Sequence, residues 1–330
     1  NLNLGPHFNT SNVTNMFGMF RTTGSSSNVF TLDLGSQFNT SKVINMSDMF
    51  SSTGSSSNVF TLDLGLHFNT SQVISMFSMF SLTGQSSNVF ALDLGPHFNT
   101  SKVINMSNMF HGTASNSDVF TLNLGSHFKT LNVTNMSKMF SSTGYNDSVF
   151  TLDLGSEFDT SQVIDMSNMF SGTGYNSLVF TLNLGDKFNT TNVNNMRQMF
   201  YRISERNPTF TLNLGANFYT TKVTDMYQMF YYAGHNSSVF TLNLNSFLIN
   251  NSLVNVSSFG SYSGASNIVF GNGWANANML SISFLRPSLV RSQINVYYTD
   301  TSFLTTNLGN MNYWNTWRGV GNTTFIYGHP

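Results

Sequence analysis

Apolar and polar positions along this chain alternate in short bursts that recur at a fixed interval. In Val29-Phe30-Thr31-Leu32-Asp33-Leu34-Gly35 the alternation puts Phe30, Leu32 and Leu34 on one side and Val29, Thr31 and Asp33 on the other. That pattern predicts a half-buried strand closed by glycine. In the preceding segment, Thr10 to Phe20, the apolar residues fall at Val13, Met16, Met19 and Phe20. This i, i+3, i+6, i+7 stripe predicts a short helix with Thr10 or Ser11 as its N-cap. Thr22 to Asn28 is rich in Ser and Gly and reads as a loop leading back to the strand.

Aligning on Phe8, Phe38, Phe68, Phe98, Phe128, Phe158, Phe188 and Phe218 gives eight 30-residue units without insertion or deletion. Sixteen of the 18 methionines fall in the two columns that begin at Met16 and Met19. One strand and one helical turn cannot bury their own apolar faces, whereas stacked coils can. The expected fold is therefore a repeat solenoid with one parallel strand and one short helix per unit. Its buried columns would start at Phe8, Val13, Met16, Phe20, Phe30, Leu32 and Leu34. From Asn245 the pattern decays into a degenerate ninth unit, so the solenoid is expected to span residues 1–274. Residues 275–330, with Ile294 to Tyr298 and Tyr313-Trp314-Asn315-Thr316-Trp317, would form a C-terminal capping or assembly module. The chain opens abruptly at Asn1-Leu2-Asn3-Leu4-Gly5, a pentad that matches the interior of later units, so a processed or truncated product is expected. Its first coil should then pair with preceding sequence or with a neighbouring subunit.

Asn39-Thr40-Ser41-Lys42-Val43-Ile44-Asn45-Met46-Ser47-Asp48-Met49-Phe50 resembles the core motif of the BspA-like, leucine-rich-repeat-related surface proteins of mycoplasmas, other bacteria and some protists. The likeness covers about residues 1–270. It departs from that pattern in having Phe-Asn where an aromatic-Asp pair is usual before Thr-Ser, and in its longer unit. The resemblance implies a right-handed, leucine-rich-repeat-like solenoid, surface exposure and a role in adhesion or surface coating, and it carries over no catalytic residue.

Charged residues make up only 8% of the chain and the net charge is −1. This leaves no electrostatic footprint for nucleic acid or anionic lipid. No apolar run approaches the roughly 20 residues that cross a bilayer, so a membrane span is not expected. With no cysteine there is no disulfide framework, thiolate metal site or thiol nucleophile. A surface solubilised by amides and hydroxyls suits an extracellular protein or one on a cell or virion surface.

Stacking turns single residues into arrays. Asp33, Asp63, Asp93 and Asp153 share a column with Asn123, Asn183, Asn213 and Asn243; calcium could use such oxygens, but the exchange of Asp for Asn argues for a solvated strand. Thr31, Thr61, Thr121, Thr151, Thr181, Thr211 and Thr241, interrupted by Ala91, form an outward row that raises ice binding as the alternative function. His7, His67, His97 and His127 alternate with Gln37, Glu157, Lys187 and Asn217, which reads as an exposed turn rather than a metal site. No phosphate loop, nucleophile elbow or paired carboxylate interrupts the repeat, so an enzyme is not expected and no cofactor or metal is assigned. Sequons such as Asn12-Val13-Thr14 arise largely from the motif itself.

The repetition fails locally in units seven and eight. Arg197, Tyr201, Arg202, Glu205 and Arg206 replace the Ser/Gly loop, and Tyr219, Tyr227, Tyr231 and Tyr232 follow. Tyr and Arg dominate many protein contacts. Arg197, Tyr201, Arg202, Arg206, Tyr219, Tyr227, Tyr231 and Tyr232 are therefore the candidate partner-binding residues. The expected function is a non-catalytic adhesion protein or a coat or filament scaffold, acting through protein or glycan ligands or through self-assembly.

Overall fold

The computed structural model describes residues 1–5, 7–35, 37–65, 67–95, 97–248, 254–271, 273, 293–298 and 322–327. It is a parallel β-solenoid. The strands are β1 (Leu2–Asn3), β2 (Val29–Asp33), β3 (Val59–Asp63), β4 (Val89–Asp93), β5 (Val119–Asn123), β6 (Val149–Asp153), β7 (Val179–Asn183), β8 (Thr241–Leu244), β9 (Asn267–Phe270), β10 (Gln293–Tyr298) and β11 (Asn322–Tyr327). Strands β2 to β8 fall where the alternation places them. The coils stack at the sequence period: Val29 faces Val59, Thr31 faces Thr61 and Asp33 faces Asp63 in parallel register. A second ladder runs on another side of the coil, pairing Asn15, Asn45, Ser75, Asn105, Asn135, Asp165, Asn195, Asp225 and Asn255 in turn.

The expected helix is absent. Among the described residues there is none, and Thr10 to Ser27 is instead a run of tight turns. The N–H groups of Val13, Met19, Arg21, Thr23 and Ser25 donate to the carbonyls three residues back. The intervening N–H groups of Met16, Gly18, Phe20 and Thr22 donate along the stack to the carbonyls of Asn45, Ser47, Met49 and Ser51, at 2.8–3.0 Å. A helix would satisfy all of these within one coil. Left-handed residues also recur where a helix would need right-handed ones, for example Asp48 (φ 56°), Ser52 (φ 57°) and Gly54 (φ 60°). A left-handed non-glycine residue costs about 1–2 kcal/mol; the bonds each turn makes to the next coil offset it. The amphipathic stripe was genuine, but a turn stack that faces inward every three to four residues produces the same spacing. The leucine-rich-repeat-like character falls with the helix.

Three phenylalanine columns fill the core. Phe50, Phe80, Phe110, Phe140, Phe170, Phe200 and Phe230 are fully buried, with successive rings stacked at 5.3–5.8 Å. The columns through Phe38 and Phe60 run beside it. Met46, Met49 and their equivalents are buried too. The first coil is the exception. Phe8 remains 39% exposed because no coil described here covers that side.

Buried threonines add a polar ladder that the apolar pattern did not reveal. The hydroxyls of Thr53, Thr83, Thr113, Thr143 and Thr173 each donate to a phenylalanine carbonyl of the preceding coil at 2.6–2.7 Å. Those of Thr40, Thr70, Thr100 and Thr130 donate forward to the next coil. Burying a hydroxyl is tolerable only with such a partner.

The strand ladder is less uniform than the sequence. It divides into sheets β1 to β5, β6 with β7, and β8 to β11. Residues 209–213 form no strand. Pro208 precedes them in the position of Asn88, Asp118 and Leu178, whose N–H groups each donate to the preceding coil. Proline has no N–H to make that rung. At the other end, β10 pairs in parallel with β9 and β11 in turn with β10, extending the same ladder through residues 293–298 and 322–327. Val296 is buried in the common core. All three tryptophans lie outside the described residues.

Candidate functional site

The repetitive columns resolve mostly into structural roles. In the Asp33 column the side-chain oxygen accepts the N–H of the residue two positions on. Asp33 bonds Gly35 at 2.8 Å, Asp93 bonds Gly95 at 3.0 Å, and Asn123 bonds Gly125 at 3.1 Å. Either Asp or Asn supplies that oxygen, which is why the two interchange. In the histidine column His7, His67, His97 and His127 are exposed, and among the described residues no group of His, Asp and Glu could hold a metal ion. The outward threonine row keeps register where strands pair, as with Thr151 opposite Thr181. It is interrupted at Ala91, between β5 and β6, and at Thr211, where no strand forms. Beside that interruption a groove of about 450 Å³ is lined by Thr211, Asn213, Val239, Thr241 and Asn243.

One surface departs from this pattern. Units five to eight place Tyr145, Tyr175, Glu205 and His235 at 30-residue offsets on the turn side of the stack. The Tyr145 and Tyr175 rings stack at 4.4 Å. Arg202 reaches back over Tyr175, with its guanidinium 5.0 Å from the ring centre and one nitrogen 3.1 Å from the phenol oxygen. It also grips Glu205 through two hydrogen bonds. That pairing holds the guanidinium proton more firmly than usual. It also allows the Glu205 carboxylate to be buried.

The neighbouring columns continue the aromatic surface. Tyr201 stacks on Tyr231 at 5.4 Å, Tyr232 stacks on Tyr262 at 4.9 Å, and Tyr232 meets His235 at 4.8 Å. Burial pushes the phenols of Tyr145, Tyr231 and Tyr232 up from their ordinary value, so they are hydrogen-bond donors at neutral pH. Because the stacked rings cover one another's faces, hydroxyls and ring edges are what the strip offers outward. Arg206, exposed, lies 5.6 Å from the Tyr175 ring centre.

The structure thus unites Tyr201, Arg202, Arg206, Tyr231 and Tyr232. Arg197 forms a separate pair, 4.2 Å over the Tyr227 ring and 3.9 Å from the Asp225 carboxylate. Tyr219 belongs to neither; it lies in the Phe-Asn-Thr corner, where its N–H donates to the Thr190 hydroxyl and its carbonyl accepts from it. Sequence reasoning missed Tyr145, Tyr175, His235 and Tyr262. Three of these share a column with Glu205, so reading along columns as well as along the chain would have found them.

A family described as "Mycoplasma protein of unknown function, DUF285" matches residues 3–90, 85–173 and 143–263. The chain belongs to this family. The DUF285 matches run across every regular unit and into the ninth, so they cover both the uniform coils and the Arg-Tyr strip. No curated protein and no solved structure matches the DUF285 chain. Its membership fixes a repeat family and leaves the activity open.

Proposed function

We propose that this chain is a non-catalytic surface scaffold that holds a protein or glycan partner through the Arg-Tyr strip. One observation carries the reading. The turn side of the solenoid is Ser, Gly and Asn in the early units, and it changes to stacked tyrosines with Arg202 and Arg206 over Tyr175 in the later ones. Core packing does not require the exposed Arg206. Phenol and guanidinium donors on a rigid ladder suit a partner rich in oxygen acceptors.

The likeness of Asn39 to Phe50 to the BspA-like motif supports a place on the cell surface and a role in adhesion or coating. Sparsely charged, near-identical coils also suit lateral or end-to-end assembly. Ice binding has less support, because the threonine row is interrupted. The purified chain and its Arg206→Ala variant, applied to glycan and extracellular-protein arrays, test the proposal. Binding that weakens tenfold or more in the variant supports the strip, and binding of equal strength in both sends the search elsewhere. Electron microscopy of the same samples separates rods from filaments.

A further inference from the structure

The column that begins at Ser27 reads Ser27, Ser57, Ser87, Ser117, Asp147, Ser177, Asn207 and Ser237, so Asp147 is its one acidic member. From Ser57 to Ser237 every member is buried. Serine hydroxyls here donate to carbonyls of the preceding coil, as Ser57 does to Gly24 at 3.0 Å and Ser237 to Phe210 at 3.1 Å. An ionised carboxylate can only accept. Asp147 accordingly takes the N–H of Phe120 on β5 at 2.9 Å and, more weakly, that of Val149 on β6 at 3.4 Å.

This happens where β5 and β6 belong to different sheets. Phe120 thus donates to a side chain at a break in the ladder. Ser117, the counterpart of Asp147 in the preceding coil, has a buried hydroxyl with no hydrogen-bond partner. Few charges face the site. Residues 114–120 contribute the Asp118 carboxylate and residues 174–180 only the Tyr175 phenol, with Tyr145 two positions before Asp147. No cation among these segments balances the buried charge.

We propose that Asp147 is a proton-operated joint between units four and five: ionised, it holds the rung open on the Phe120 N–H, and protonated, it donates to the preceding coil, where the Ser117 hydroxyl is the free acceptor. Burial pushes its carboxyl up to about 6, with the Phe120 and Val149 N–H groups pulling it down and Asp118 pushing it up. A folded value above the unfolded 3.8 means that the native joint holds the proton more tightly. Its stabilising contribution is complete below about 3.8 and is lost as pH rises through about 6. Neutral pH therefore loosens this joint and mild acid closes it.

Amide hydrogen exchange on the full chain at pH 4.5 and 7.5 tests the joint, comparing wild type with Asp147→Ser and Asp147→Asn. Serine is the usual residue of the column, and asparagine keeps an acceptor without the charge. In wild type the protection factors of residues 119–123 should be at least tenfold higher at pH 4.5, within a ceiling of roughly 100-fold for this shift. Both variants should show no such difference. Burial holds the His111 imidazole below its ordinary value, which gives a pH dependence of opposite sign that wild type and variants share. A wild-type response that persists in Asp147→Ser or Asp147→Asn, or one lying outside the β5 and β6 segments, would overturn the proposal.

Discussion

The hydroxyl of Thr113 donates to the carbonyl of Phe80 at 2.7 Å, across 33 residues of sequence and one coil of the stack. The same carbonyl accepts the N–H of Thr83 at 3.1 Å. Replacing Thr113 by valine keeps the shape and removes one of two bonds to that oxygen. The expected loss is about 1 kcal/mol, read from urea denaturation; no loss would mean that the threonine ladder is ornamental.

Asp93 serves as a turn acceptor for Gly95. Asp93→Asn should leave the melting temperature unchanged within a degree or two. Asp93→Ala should lower stability by about 0.5–1 kcal/mol through the lost side-chain bond. Because the column needs an oxygen and not a cation, calcium and EDTA should melt the wild type at the same temperature. A calcium-dependent rise would contradict this account.

Phe110 packs between Phe80 and Phe140 with ring centres at 5.7 and 5.4 Å and no exposed surface. Phe110→Ala should cost about 3–5 kcal/mol, since the transfer loss and the cavity add. Phe8→Ala, at a partly exposed position in the first coil, should cost far less. Parallel chemical melts of the two variants decide the order.

Arg202 and Glu205 form a pair in which the carboxylate is buried and the guanidinium partly exposed. Arg202→Ala leaves a buried charge, so about 1–3 kcal/mol of stability should be lost, discounted from the fully buried case for the exposure of the arginine. The double variant Arg202→Ala with Glu205→Gln should recover much of it. Arg206→Ala should leave the melt unmoved, which separates the partner-facing arginine from the structural one. Failure of the double variant to recover would show that packing of the arginine stem, rather than its charge, holds the strip.

Much of the coil could be read from one dimension. The period of 30 and the alternation in Val29 to Leu34 determine which residues stack and which face inward, because identical coils can bury identical side chains only in register. The Arg-Tyr strip was partly legible for the same reason: Arg202 and Tyr231 break a repeat that is otherwise strict. The turn segment was not. An i, i+3 stripe is common to a helix and to a run of tight turns, and what separates them is where the N–H of Phe20 goes. It goes to Met49 of the next coil, a partner that exists only once the coils are stacked. Tertiary structure likewise decided that Asp147 is buried against Phe120, since a serine-rich loop in sequence gives no sign that its column lies inside the wall of the solenoid.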